Sequence, residues 1–81
     1  MNRADIEQRL VEIVRGEKDI PNDRIRPEAL LSDAGIDSLD SLQILFSIEE
    51  AFGISIPDDR ARQIKTFGDM TDAIVELTSS T

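Results

Sequence analysis

The stretch Gly35-Ile36-Asp37-Ser38-Leu39-Asp40-Ser41-Leu42 decides how this chain is read. It closes a long acidic connection and opens a segment rich in apolar residues. Asp37 has N-cap chemistry, a short carboxylate able to accept from the free backbone N–H groups of a first helical turn. Ser38 then falls at the first helical position. Its hydroxyl points into solvent at the positive end of the helix dipole, where a phosphate ester would be favoured electrostatically. Taken alone, Asp-Ser-Leu also reads as nothing more than a helix start, because Ser and Asp are common there.

Outward from this stretch, Asp37 to Phe52 reads as a helix stopped by Gly53. It holds more apolar residues than one narrow stripe can take. Leu42, Leu45, Ile48 and Phe52 have core spacing. Leu39 and Phe46 are then left partly exposed beside Gln43, Glu49 and Glu50, as a docking surface would be. The alternative places Phe46 in the core and Ile44 outside. Upstream, residues 3–15 form a first helix with Asn2 as cap and Gly16 as stop, and Ile6, Leu10, Ile13 and Val14 make its core stripe. Residues 17–36 are an unusually long connection with Pro21, Pro27 and Gly35. Ile20, Ile25, Leu30, Leu31 and Ile36 are spaced to pin it to a bundle, and a short turn is expected near Pro27. Downstream, residues 57–64 read as a short third helix opened by Pro57. Residues 67–78 read as a last helix behind a Thr66/Asp69 capping box, its stripe Phe67, Met70, Ile74 and Leu77, with residues 78–81 a frayed tail. The expected architecture is all-α, a four-helix bundle forming a single domain over residues 1–81.

Composition removes whole classes of chemistry. The 81 residues contain no histidine, cysteine, tryptophan or tyrosine. A Ser-His-Asp or Cys-His site cannot be assembled, thiolate metal sites and disulfides are ruled out, and any thiol chemistry must come from a prosthetic group. Asp33, Asp37 and Asp40 lack the spacing of a calcium loop, so no metal site is expected. The net charge of −8 opposes nucleic-acid binding. No apolar run has membrane-spanning length, and Met1-Asn2-Arg3-Ala4-Asp5 is not a signal peptide, so a cytoplasmic protein without membrane insertion is expected. Eight acids and no base lie between Pro27 and Asp59, whereas the remaining nine acids are matched by nine bases. The excess charge therefore surrounds Ser38, where it can steer basic partners.

The motif Gly35-Ile36-Asp37-Ser38-Leu39-Asp40, followed by Leu42, Leu45, Glu49-Glu50, Phe52 and Ile56-Pro57-Asp58-Asp59, resembles the acyl carrier protein family over nearly the whole chain. The resemblance implies a carrier and not an enzyme. In this reading Ser38 bears 4'-phosphopantetheine through a phosphodiester, flanked by Asp37 and Leu39, and acyl intermediates ride on the arm as thioesters. It implies as partners a phosphopantetheinyl transferase and acyl-loading, condensing or acyl-transfer enzymes with basic docking patches. They would meet Asp40, Gln43, Phe46, Glu49, Glu50 and Arg62 of a monomeric carrier. It also implies an acyl pocket around Leu30, Leu42, Ile48, Ile56, Ala61 and Ile64. Two other readings are a peptidyl or aminoacyl carrier and a helical adaptor that bears no cofactor. Gln43 and Arg62 stand where relatives often have acids, and an aromatic residue usual near the end of the last helix is missing. With Arg60, they interrupt the negative surface and suggest a specialised partner in a fatty-acid, lipid or polyketide pathway.

Overall fold

In the computed structural model, which describes residues 2–79, four helices follow in order: α1 (Arg3–Glu17), α2 (Ser38–Phe52), α3 (Asp58–Ala61) and α4 (Phe67–Ser79). No strand forms among the described residues; the one β-type contact is an isolated antiparallel bridge between Leu30 and Thr66. No described helix is long and apolar enough to cross a membrane. Asn2 caps α1, its side chain accepting from the Asp5 N–H at 2.9 Å. Apolar residues one turn apart then give α1 a single buried face, Ile6, Leu10 and Val14. That face packs against α2 and α4, which supply Ile44, Leu45 and Ile48, and Phe67, Met70, Ala73 and Ile74. Burying each large aliphatic side chain contributes on the order of 1.5–3 kcal/mol.

Expectations about the first three helices change. The first helix does not stop at Gly16. It continues through Glu17, and the Lys18 N–H closes the last turn on the Val14 carbonyl at 2.9 Å. The extension carries Glu17 and Lys18 to α2, where Glu17 accepts from the Ser47 hydroxyl at 2.7 Å and Lys18 reaches Asp40. On α2, Leu42 is not a core residue but 50% exposed, and Ile44 takes the core position at 0%. At about 100° per residue, Ile44, Leu45 and Ile48 share one face, while Leu42 lies within about 40° of Phe46 on the outer one. The third helix is a single turn. Arg62 N–H to Asp58 O is its last i→i−4 bond, after which Gln63 and Ile64 bond three residues back. Pro57 is its N-cap and not its first residue.

The long connection is ordered because its backbone groups find partners. It contains two 3₁₀ turns, Asn22–Arg24 and Ser32–Ala34, that the sequence pattern does not announce. Ile20, Leu31 and Ile36 are buried and Ile25 half-buried, whereas the Leu30 side chain is 43% exposed and Leu30 holds the loop only through its backbone bridge to Thr66. Three backbone bonds stitch the loop to the start of α4: Leu31 N–H to Lys65 O, Phe67 N–H to Ala29 O, and Gly68 N–H to Pro27 O. At the start of α4, the Thr66 hydroxyl accepts from the Asp69 N–H at 3.0 Å. The Asp69 carboxylate accepts from Thr66 and Lys65 N–H in return. The α4 stripe gains Thr71, buried with its hydroxyl donating to the Phe67 carbonyl, while Leu77 is half-buried. Thr78 and Ser79 belong to α4 and not to a tail; Ser80 and Thr81 lie outside the described residues.

Gly68 and Gly16 should respond oppositely to alanine. A Cβ on Gly68 would sit 2.8 Å from the Pro27 carbonyl oxygen, a backbone atom, while a Cβ on Gly16 meets nothing within 4 Å. Gly68→Ala should destabilise the fold by about 1–3 kcal/mol, the contact outweighing the gain in helix propensity. Gly16→Ala should stabilise it by about 0.5–1 kcal/mol. Urea unfolding of the two variants checks the difference in sign.

Candidate functional site at the start of α2

Asp37 leaves the helical path in an extended conformation, and its carboxylate accepts from the Asp40 N–H at 2.8 Å. The Asp40 carboxylate answers with a longer, 3.4 Å contact from the Asp37 N–H. This capping box fixes where α2 begins and sets exposed Ser38 at its first position. Lys18 adds the third member, its ammonium 2.6 Å from Asp40 Oδ2. The lysine contact is the largest influence holding Asp40 below its ordinary value of 3.8, with the Asp37 N–H helping. The same hydrogen bond raises Lys18 above 10.5. Far from this site, Asp69 is also held low, chiefly by the Lys65 N–H.

Beside Ser38 runs an open groove of about 380 Å³ between α2 and α3. Ser38, Ser41, Leu42 and Leu45 form one wall, one helical face of α2 at i, i+3, i+4 and i+7. Asp58, Ala61, Arg62 and Ile64 form the other. Of the six residues expected around an acyl pocket, Leu42, Ala61 and Ile64 line this groove. Ile48 is sealed in the core, Ile56 is half-buried outside the lining, and Leu30 is exposed beside its bridge to Thr66. Ser41, Leu45, Asp58 and Arg62 were not among the expected lining. The α2 members could have been found by stepping along the helix from Ser38, whereas the α3 members depend on how that turn is placed.

The outer face of α2 carries Leu39, Leu42 and Phe46, which are 70%, 50% and 64% exposed. Gln43 and Glu50 lie exposed on the same helix. The acids expected to meet partners divide into two groups. Asp37 and Asp40 are engaged in the capping box, and the Glu49 carboxylate accepts from the Ile56 N–H at 2.7 Å, tying the α2–α3 connection to the helix. Glu50 has no internal donor among the described residues. Arg60 does not face outward as an unpaired cation; it pairs with Glu76 and ties α3 to α4.

The Lys18–Asp40 pair makes a signed pH prediction. Asp40 is depressed, so its contribution is complete above 3.8 and is lost as pH falls below that through its folded value. Lys18 is raised, so its contribution is complete below 10.5 and is lost as pH rises above that. Lys18→Met should therefore lower the melting temperature across neutral pH. The deficit should shrink in the acid window below 3.8 and in high salt, as scanning calorimetry would record.

Comparison with known proteins follows the same lines. Residues 8–74 match the family described as the phosphopantetheine attachment site. An acyl carrier protein of Thermosynechococcus vestitus is 36% identical over 75 residues, covering 91% of this chain and 93% of that protein. One of Acidothermus cellulolyticus is 35% identical over 81 residues, covering 99% and 96%. The solution structure of the acetyl actinorhodin acyl carrier protein from Streptomyces coelicolor is similar over 99% of this chain and 93% of that one, with a TM-score of 0.68 and 29% identity. By family match and by relatives alike along nearly its full length, the chain belongs to the acyl carrier protein family and carries acyl groups on phosphopantetheine.

Proposed function

We propose that Ser38 is the attachment residue, that residues 1–81 act as one monomeric carrier domain, and that the chain itself catalyses nothing. The observation that carries this reading is the exposed Ser38 hydroxyl at the first position of a capped helix, at the end of an open groove. Ser38 accepts 4'-phosphopantetheine from coenzyme A through a transferase that supplies the catalysis. When bound, the group supplies the thiol that this chain lacks. The chain contributes placement. Asp37 and Asp40 hold the first turn, the helix N-terminus favours the added phosphate, and Leu42, Ala61 and Ile64 offer apolar surface to a carried chain. Treatment with a phosphopantetheinyl transferase, magnesium and coenzyme A should add one phosphopantetheine to the wild-type mass and none to Ser38→Ala. That variant should keep its stability to within about 0.5 kcal/mol, since Asp37 is the cap. A modification that persists in Ser38→Ala overturns the assignment.

Partner enzymes dock, in this reading, on the outer face of α2. Leu39, Leu42 and Phe46 supply contact area, and exposed Glu50 supplies charge to meet Lys or Arg. The internal bonds of Asp40 and Glu49 make Glu50 the cleaner probe, because replacing Glu49 also removes the acceptor of the Ile56 N–H. Glu50→Lys should slow modification of Ser38 by about 1.5- to 5-fold at low salt and less at high salt. Phe46→Ala should slow it at both, with helix content unchanged in circular dichroism. Equal rates for wild type and both variants would remove this face from the reading.

A further inference from the structure

Among the described residues, Arg62 is the one cation lining the groove that begins at Ser38. It is exposed, and no hydrogen bond or ion pair engages its guanidinium among the described residues. Its neighbour Arg60 is committed to Glu76. Asp58 lines the same wall one turn earlier, at the spacing of a helical ion pair, yet makes none with Arg62. On the Ser38 side the local charge is negative: Asp37 precedes Ser38 and Asp40 follows it by two residues.

An anion attached to the Ser38 hydroxyl oxygen therefore enters a divided field. The N-terminus of α2 attracts it, but the Asp40 N–H is already donated to Asp37, and both neighbouring carboxylates repel it. Lys18 is committed to Asp40. Among the described residues, the uncommitted positive charge lining the groove is Arg62, whose planar fork of donors matches two oxygens of a phosphate. We propose that Arg62 is an anion-binding residue acting within the chain, pairing across the groove with the phosphodiester formed at Ser38. This rests on Ser38 being the attachment residue. The contact holds the base of the arm toward the α3 wall, and so leaves the Leu39–Phe46 stripe clear for partners. A carboxylate on the carried group has the same chemistry and is the competing source of the anion.

The test compares apo protein, holo protein, and holo protein loaded with a butyryl or a malonyl group, with intact mass recorded for each. Arg62 is followed by its side-chain Nε–Hε resonance and the phosphodiester by its phosphorus resonance, in wild type and in Arg62→Gln. The proposal expects the Arg62 resonance to move on conversion of apo to holo, and to move no further on malonyl than on butyryl loading. It also expects the holo phosphorus resonance to differ between wild type and Arg62→Gln, by an amount that shrinks in high salt. An Arg62 resonance unchanged between apo and holo overturns the proposal, as does one that moves only on malonyl loading. The wild-type arms do not depend on how Arg62→Gln folds. Absence of any mass gain in wild type defeats the Ser38 reading and this proposal with it, whereas a mass gain with Arg62 unmoved defeats this proposal alone.

Discussion

Where α2 begins is set by one bonded cluster, and the placement of Ser38 depends on it. Asp37 turns out of the helix and receives the Asp40 N–H, and Asp40 in turn is held by Lys18 at the end of α1. A capping box alone leaves a helix start free to fray, because its bonds lie within a few residues of each other. The lysine adds a tie to another helix. That tie is possible only because α1 runs through Gly16 and delivers Lys18 one residue past its end. The network is only partly buried and so electrostatically modest, but it acts on the turn that carries Ser38.

A second constraint sets the opposite wall of the groove. A chain this short, without a disulfide, holds a long connection by giving its backbone partners in Lys65 and in the first residues of α4. The Pro27 carbonyl reaches the Gly68 N–H so closely that a side chain at position 68 would collide with it. Leu31 bonds to Lys65 just upstream. These contacts locate the start of α4, and the Arg60–Glu76 pair ties α3 to it. The α3 wall facing Ser38 is thus positioned by the loop and by α4, with only one helical turn of its own.

The distribution of charge has a different meaning in space than along the chain. The acids between Pro27 and Asp59 form a single-sign run in sequence, yet Asp37, Asp40 and Glu49 accept bonds that build the site. Lys18, distant in sequence, sits among them. The two arginines of α3 and the residue after it also part company, one closing the fold and the other lining the groove. Counting charges along the chain overstates what a partner meets and misses which cation lines the groove with Ser38.

The sequence by itself determined the number and order of the helices, the cap at Asp37, the exposed Ser38 and the carrier family, because these depend on local signals. Such signals are turn residues, capping spacing, helical periodicity and a contiguous motif, all written within a few residues. Even the outward placement of Leu39 and Phe46 follows from the helical period once one face is known to be buried. Only the tertiary structure decided that Ile44 and not Leu42 enters the core, because apolar residues nearly encircle α2 and the neighbours choose the face. It alone also decided that Lys18 completes the cap of α2, that Gly68 must remain bare, and that Arg62 shares a groove with Ser38. Each of these joins residues more than twenty positions apart, through the packing of α1 and α3 and the path of the long loop, where no local pattern records the contact.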